Sequence, residues 1–214
     1  ATKDLDIVVF MRPDPEFLKV LTEYIKQGEY ENREKSEGAS QYYRFNKPKK
    51  TEYPKQIELF SKKPEDLNLF EGQYVIPVQK IELGAQFSGI LLEEEYYELI
   101  RNNTVGNKHV KFISAVAQIP LKARAFIELG ERKAKGQDVK DDEIKKHRND
   151  VLVLSGALTA GEKLALAGLP RKHLEVYLTE VEKLLGDQGI KDICKFYNLG
   201  SPTEVLQALR EYYF

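Results

Sequence analysis

The chain has 214 residues, 42% of them hydrophobic, which is enough for one large domain or two small ones with a real core and excludes wholesale disorder. Lys and Arg number 33 against 34 for Asp and Glu, a net charge of −1, so no overall field draws the protein to nucleic acid or membrane and any polyanion site has to be a local patch. The one cysteine, Cys194, excludes an internal disulfide; no apolar run approaches spanning length and no signal peptide opens the sequence, which reads as cytoplasmic and soluble.

In chain order, Leu5 to Phe10 is an apolar, β-branched run that reads as a buried strand. Asp14-Pro15 opens a helix carrying Phe17, Leu18, Leu21, Tyr24 and Ile25 at three- and four-residue spacing, with Gly28 at its end. Glu29 to Ala39 is polar and reads as a loop. Gln41 to Phe45 and Gln56 to Phe60 read as two strands joined through the basic turn Asn46 to Pro54, a hairpin. Tyr74 to Val78 and Ile81 to Phe87 are further strands, Glu93 to Asn102 a short helix, and Val110 to Ser114 another strand. From Pro120, placed in a first helical turn, the chain becomes helical: Leu121 to Lys135, then Asp141 to Ser155 after Gly136-Gln137-Asp138, then roughly three more helices, the last opening at Ser201-Pro202-Thr203-Glu204. The expected fold class is α+β, with a mixed sheet and flanking helices over 1–118 and a helical module over 119–214. Cys194 lies in the helically spaced stretch Ile190 to Tyr197 and reads as a buried structural thiol.

The chemistry-bearing residues begin with Asp4 and Asp6, one residue apart at the head of the first strand. In a strand they share a face, with Cα atoms about 6.6 Å apart, a spacing that lets two carboxylates meet a hard divalent cation between them. Acids where a strand leaves solvent have the same appearance. Glu58, flanked by Ile57 and Leu59, either escapes desolvation through a partner or a metal, or faces outward with Gln56 on an alternating strand. Arg44, between Tyr43 and Phe45 on the neighbouring strand, is a phosphate contact or a solvated surface group. Lys47, Lys49 and Lys50 with Tyr53 make a turn that suits RNA or serves solubility alone.

The run Thr2-Lys3-Asp4-Leu5-Asp6-Ile7-Val8 resembles the segment after the Gly-rich loop in polymerase-β-like nucleotidyltransferases, particularly the AbiEii toxin-like branch. Ile119-Pro120-Leu121-Lys122-Ala123-Arg124-Ala125 is similar to the family's Lys-bearing helix, and Lys145-Lys146-His147-Arg148-Asn149-Asp150-Val151 to its later basic-acidic helix. The resemblance implies a nucleotidyltransferase-like fold in which Asp4, Asp6 and Glu58 hold Mg²⁺ as catalytic carboxylates. It also implies that Lys122 serves catalysis and contacts the nucleotide together with Lys3, Arg44 and Asp150. The implied reaction carries a nucleoside monophosphate from a nucleoside triphosphate (NTP) to an acceptor such as tRNA, a protein or a small molecule, in a toxin–antitoxin setting with a cognate antitoxin. Two features depart from the pattern: Val153 stands where the family has a second acid, and the family's Gly-rich turn precedes the Asp-x-Asp strand whereas this sequence opens at Ala1. The chain as given is therefore expected to be nearly silent in transfer, with an exposed edge that pairs with a second copy or an upstream segment. Rival readings are a degenerate nucleotidyltransferase fold used as an interaction module and a metal-dependent phosphohydrolase.

In the helices, Leu121, Ala125 and Leu129 form an apolar stripe with Lys122 at its margin, and Ile144, His147, Val151 and Leu154 form another that includes Asp150. Lys122 and Asp150 are expected to meet, as a structural ion pair or as a Lys held by Asp on a triphosphate. His147 reads as a core histidine; His109 and His173 lack metal-ligand spacing.

Overall fold

The structure, a computed structural model, describes residues 4–9, 15–32, 44–62, 75–80, 86–107 and 110–214. It is an α+β protein whose chain packs into two units, 1–97 and 98–214. The first unit holds β1 (Asp4–Val9), α1 (Pro15–Gly28), β2 (Glu31–Asn32), β3 (Arg44–Asn46), β4 (Gln56–Lys62), β5 (Val75–Lys80), β6 (Gln86–Leu92) and the start of α2 (Glu94–Asn102). The second holds the rest of α2, the hairpin β7 (Thr104–Gly106) and β8 (Lys111–Ile113), and helices α3 (Ala115–Ala134), α4 (Asp141–Ser155), α5 (Gly168–Glu182), α6 (Gln188–Phe196) and α7 (Pro202–Tyr213). The sequence suggests a boundary at 118/119. Packing divides the chain earlier because Leu99 and Val116 join the helical core, and because Ser114 N–H donates to Asn103 and the Gln118 amide to Ile113.

β4 organises the sheet. One edge pairs in parallel with β1 from Gln56 to Ser61; the other pairs antiparallel with β3 over Gln56 to Glu58 and then in parallel with β6 over Phe60 to Lys62. The chain needs α1 and the β3–β4 hairpin between β1 and β4, since parallel neighbours require a crossover. β4 alternates half-buried and buried residues, and its buried members Ile57 and Leu59 pack with Phe45 and with Leu18, Leu21 and Ile25 of α1. α1 thus covers one sheet face, as its apolar spacing predicts.

Several elements differ from their sequence-based expectation. β6 begins at Gln86, so only Gln86 and Phe87 overlap the strand expected over Ile81 to Phe87; 81–85 lie outside the described residues, as do 33–43 and Tyr74. Short β7, which ends on Gly106 at φ 130°, gives no periodic signal. Pro120 is not in a first turn but inside α3. A helix interior tolerates proline poorly, because the missing N–H orphans the carbonyl four residues back. Here that carbonyl, Val116, accepts a hydrogen bond of 2.8 Å from the buried Tyr213 hydroxyl of α7. The inward stripes shift as well. α3 buries Ala117, Ile119, Pro120 and Ala123 rather than the Leu121 row, and α4 buries Arg148, Val151 and Leu152 while Ile144, His147 and Leu154 are only partly covered. Both helices are packed by several neighbours, so burial spreads beyond one stripe.

Where sequence signals are strong, the helices follow them. α4 spans Asp141–Ser155 as expected, and α7 opens with a capping box in which Ser201 Oγ accepts from Glu204 N–H and the Glu204 carboxylate accepts from Ser201 N–H. Those bonds hold the Glu204 carboxyl below its usual range. Cys194 is buried, and burial raises its thiol pKa.

Candidate functional site

Burial of Ile57 and Leu59 under α1 turns Gln56 and Glu58 to the opposite sheet face. The parallel register sets Asp4 beside Gln56 and Asp6 beside Glu58, and directly paired residues share a face. Across the other edge Arg44 stands beside Glu58 and Asn46 beside Gln56 in the ladder. Asp4 and Asp6 are exposed and Glu58 is half-buried. The three sequence-predicted carboxylates therefore lie on one face of adjacent strands, with Arg44 as Glu58's neighbour; Lys3 lies outside the described residues. They do not converge into a cage: among the described residues no three His, Cys, Asp or Glu side chains come close enough to hold a metal ion. Like charges in a row repel, which keeps the carboxylates apart.

Next to Asp4, a cleft of about 550 Å³ runs under the β3–β4 turn, lined by Asn46, Lys47, Lys50, Tyr53, Lys55 and Gln56 among others. The turn is tied at three points: Lys47 N–H donates to the Lys55 carbonyl at 3.1 Å, Lys49 N–H to Gly28 at 3.0 Å, and the Tyr30 hydroxyl to Pro54 at 2.6 Å. Tyr24 and Tyr30 pack against the Tyr53 ring, with centroids 4.8 and 6.2 Å away. Gly28 is required here, because a Cβ would stand 2.5 Å from the Tyr30 ring and 2.8 Å from that of Tyr53. Burial, then Tyr24 and Tyr53, push the Tyr30 hydroxyl up to about 12, which keeps it a donor. Sequence reasoning found the lysines and Tyr53 but not the clamp, whose only local trace is the Gly28 to Tyr30 spacing.

The second set of predicted residues belongs to the helical unit. Lys122 Nζ of α3 lies 3.5 Å from Asp150 Oδ2 of α4, with side chains 30% and 34% exposed, so the expected meeting of the two occurs. His147, one turn before Asp150, has its Nδ1 enclosed without a hydrogen-bond partner among the described residues. Burial, and after it the Lys122 ammonium, lower the pKa of its imidazole. Arg148, which sequence reasoning passed over, is 6% exposed: its Nε donates to Asn149 Oδ1 at 3.0 Å, and its backbone carbonyl accepts from the Tyr177 hydroxyl at 2.7 Å. A helical stripe drawn one residue off hid it. Among the described residues no helix is long and apolar enough to cross a membrane. Comparison with protein-family models, curated proteins and solved structures finds no match for this chain.

Proposed function

We propose that the carboxylate face of the sheet is the catalytic face of a metal-dependent nucleotidyltransferase of the AbiEii-like kind, transferring a nucleoside monophosphate from an NTP to an acceptor. The observation that carries the reading is the parallel register, with Asp6 beside Glu58 and Asp4 in the same column. The donor chemistry suits Mg²⁺, a hard cation that is commonly held by one or two carboxylates and completes its shell with water and phosphate oxygens, so a closed protein cage is not required. The resemblance assigns Asp4, Asp6 and Glu58 to it; of the three, Asp6 and Glu58, which stand side by side in the ladder, would hold it, and when bound it supplies positive charge to the triphosphate. Arg44, adjacent to Glu58 in the ladder, is assigned to the phosphates on that edge. Lys122, paired with Asp150 inside the helical unit, keeps the nucleotide role only as the resemblance gives it. In the reaction the acceptor hydroxyl oxygen forms a bond to the α-phosphorus as the bond to pyrophosphate breaks and the hydroxyl proton is lost. The acceptor classes are tRNA, a protein or a small molecule, with an antitoxin as regulatory partner.

One observation favours a second reading. The absence of a converged three-ligand set among the described residues suits a fold of this type retained as an interaction module. The deciding experiment supplies the full gene product with Mg²⁺ and each NTP labelled at the α-phosphate. Label transfer with pyrophosphate release, abolished by EDTA, supports the transferase. Orthophosphate release marks a phosphohydrolase, and no turnover beside intact partner binding marks the module.

A further inference from the structure

The β3–β4 turn carries Lys47, Lys49, Lys50 and Lys55 on a loop fixed by the Tyr30 and Gly28 clamps. Two of these charges are matched, Lys47 by Glu31 at 3.2 Å and Lys49 by Glu29 at 2.8 Å. Lys50 and Lys55 are exposed, line the cleft, and form no ion pair among the described residues; Lys50 Nζ stands 5.9 Å from the centre of the Tyr53 ring. In a protein of net charge −1 this is a local cationic patch with an aromatic ring in it.

We propose that the cleft binds single-stranded nucleic acid, with Lys50 and Lys55 on its phosphates and Tyr53 beneath a base. A cationic groove beside an aromatic platform is how sequence-tolerant single-strand sites are built, because every base has a face to stack while the backbone is followed by charge. A bare phosphate or an acidic peptide would use the lysines and leave Tyr53 idle. A duplex offers no unstacked base. Tyr24 and Tyr30 pack against the ring and hold it, so a stacked base costs little ordering of the protein. Asp4, the one carboxylate lining the cleft among the described residues, opposes the lysines locally. A strand resting on Lys50 and Lys55 runs from there toward Asp6 and Glu58. That course, unlike the binding itself, rests on the transferase reading.

The test is fluorescence anisotropy of a fluorescein-labelled oligouridylate titrated with the whole chain in EDTA over a range of salt, so that metal-dependent chemistry plays no part and its failure leaves this result untouched. Two phosphate contacts on a single strand give a log–log salt slope of about −1.4. The exposed double variant K50Q/K55Q is expected to weaken binding at least tenfold at low salt and flatten the slope. Y53L is expected to lose about tenfold and Y53F to bind as the parent does, which separates stacking from loss of packing. A uridine–adenine duplex, or UTP at equal phosphate concentration, should compete poorly. The proposal is overturned if the parent does not bind, if K50Q/K55Q binds unchanged, if Y53L matches Y53F, or if duplex or UTP competes as well as the single strand.

Discussion

Asp6 and Glu58 are adjacent carboxyl-bearing residues on one sheet face, and Asp6 is exposed. Replacing Asp6 by Asn removes like-charge repulsion, and the expected change in unfolding free energy is within about 0.5 kcal/mol. Under the transferase reading the same change weakens Mn²⁺ binding at least about tenfold, a loss of roughly 1.4 kcal/mol. Calorimetric titration with urea unfolding of both proteins checks the pair of outcomes, and unchanged Mn²⁺ affinity would remove Asp6 from the site. His147 gives a prediction in pH. The unfolded imidazole takes its proton near pH 6.5, whereas burial and Lys122 delay protonation in the folded state to lower pH, with Lys146 adding and Asp150 and Glu143 opposing. Between those two values the unfolded chain binds more protons, so stability is complete above about pH 6.5 and falls as the pH drops through the window. The urea midpoint of the parent should decline more steeply below about pH 6.5 than that of His147→Gln. Parallel declines would show that His147 carries none of the dependence.

Among the elements, α3 depends on a residue far from it in sequence. Tyr213→Phe leaves the Val116 carbonyl without its donor beside Pro120, which should cost about 1–3 kcal/mol. In a Pro120→Ala background the new backbone N–H serves that carbonyl, so the same Tyr213→Phe change should cost much less. A double-mutant cycle by urea denaturation measures the difference and cancels the packing lost with the proline ring. Additive costs would mean that Tyr213 does not compensate for Pro120. The pair also marks the limit of sequence reading. β1, α1, β4, α4 and the Ser201 capping box were legible because apolar spacing, Gly28 and the cap residues act within a few positions of one another. Pro120 in mid-helix was not, because its compensation comes from Tyr213. The shared face of Asp4, Asp6 and Glu58 followed from alternation plus the resemblance, but their separation did not, since it depends on side-chain placement across strands. The Tyr24–Tyr30–Tyr53 clamp brings together a helix, its exit and a turn, and no single window contains it.

On the scale of the chain, the parallel pairing of β1 with β4 has a kinetic consequence. β4 can pair with β3 through a short turn and gather α1 through the Lys49 to Gly28 bond, both local events, whereas β1 must close the whole intervening segment before it gains a contact. Loop-closure entropy makes such a step late. Ile7→Ala, which trims the β1 side chain packed against the α1 core, should therefore speed unfolding and leave the refolding rate nearly unchanged in stopped-flow measurements. Slowed refolding would place β1 in the nucleus instead. If β1 docks last, the row of Asp4, Asp6 and Glu58 does not exist in any earlier species, and competence to bind a cation appears only with the final refolding step. A nascent chain would then stay inert toward its substrate until the rest of its sheet had formed.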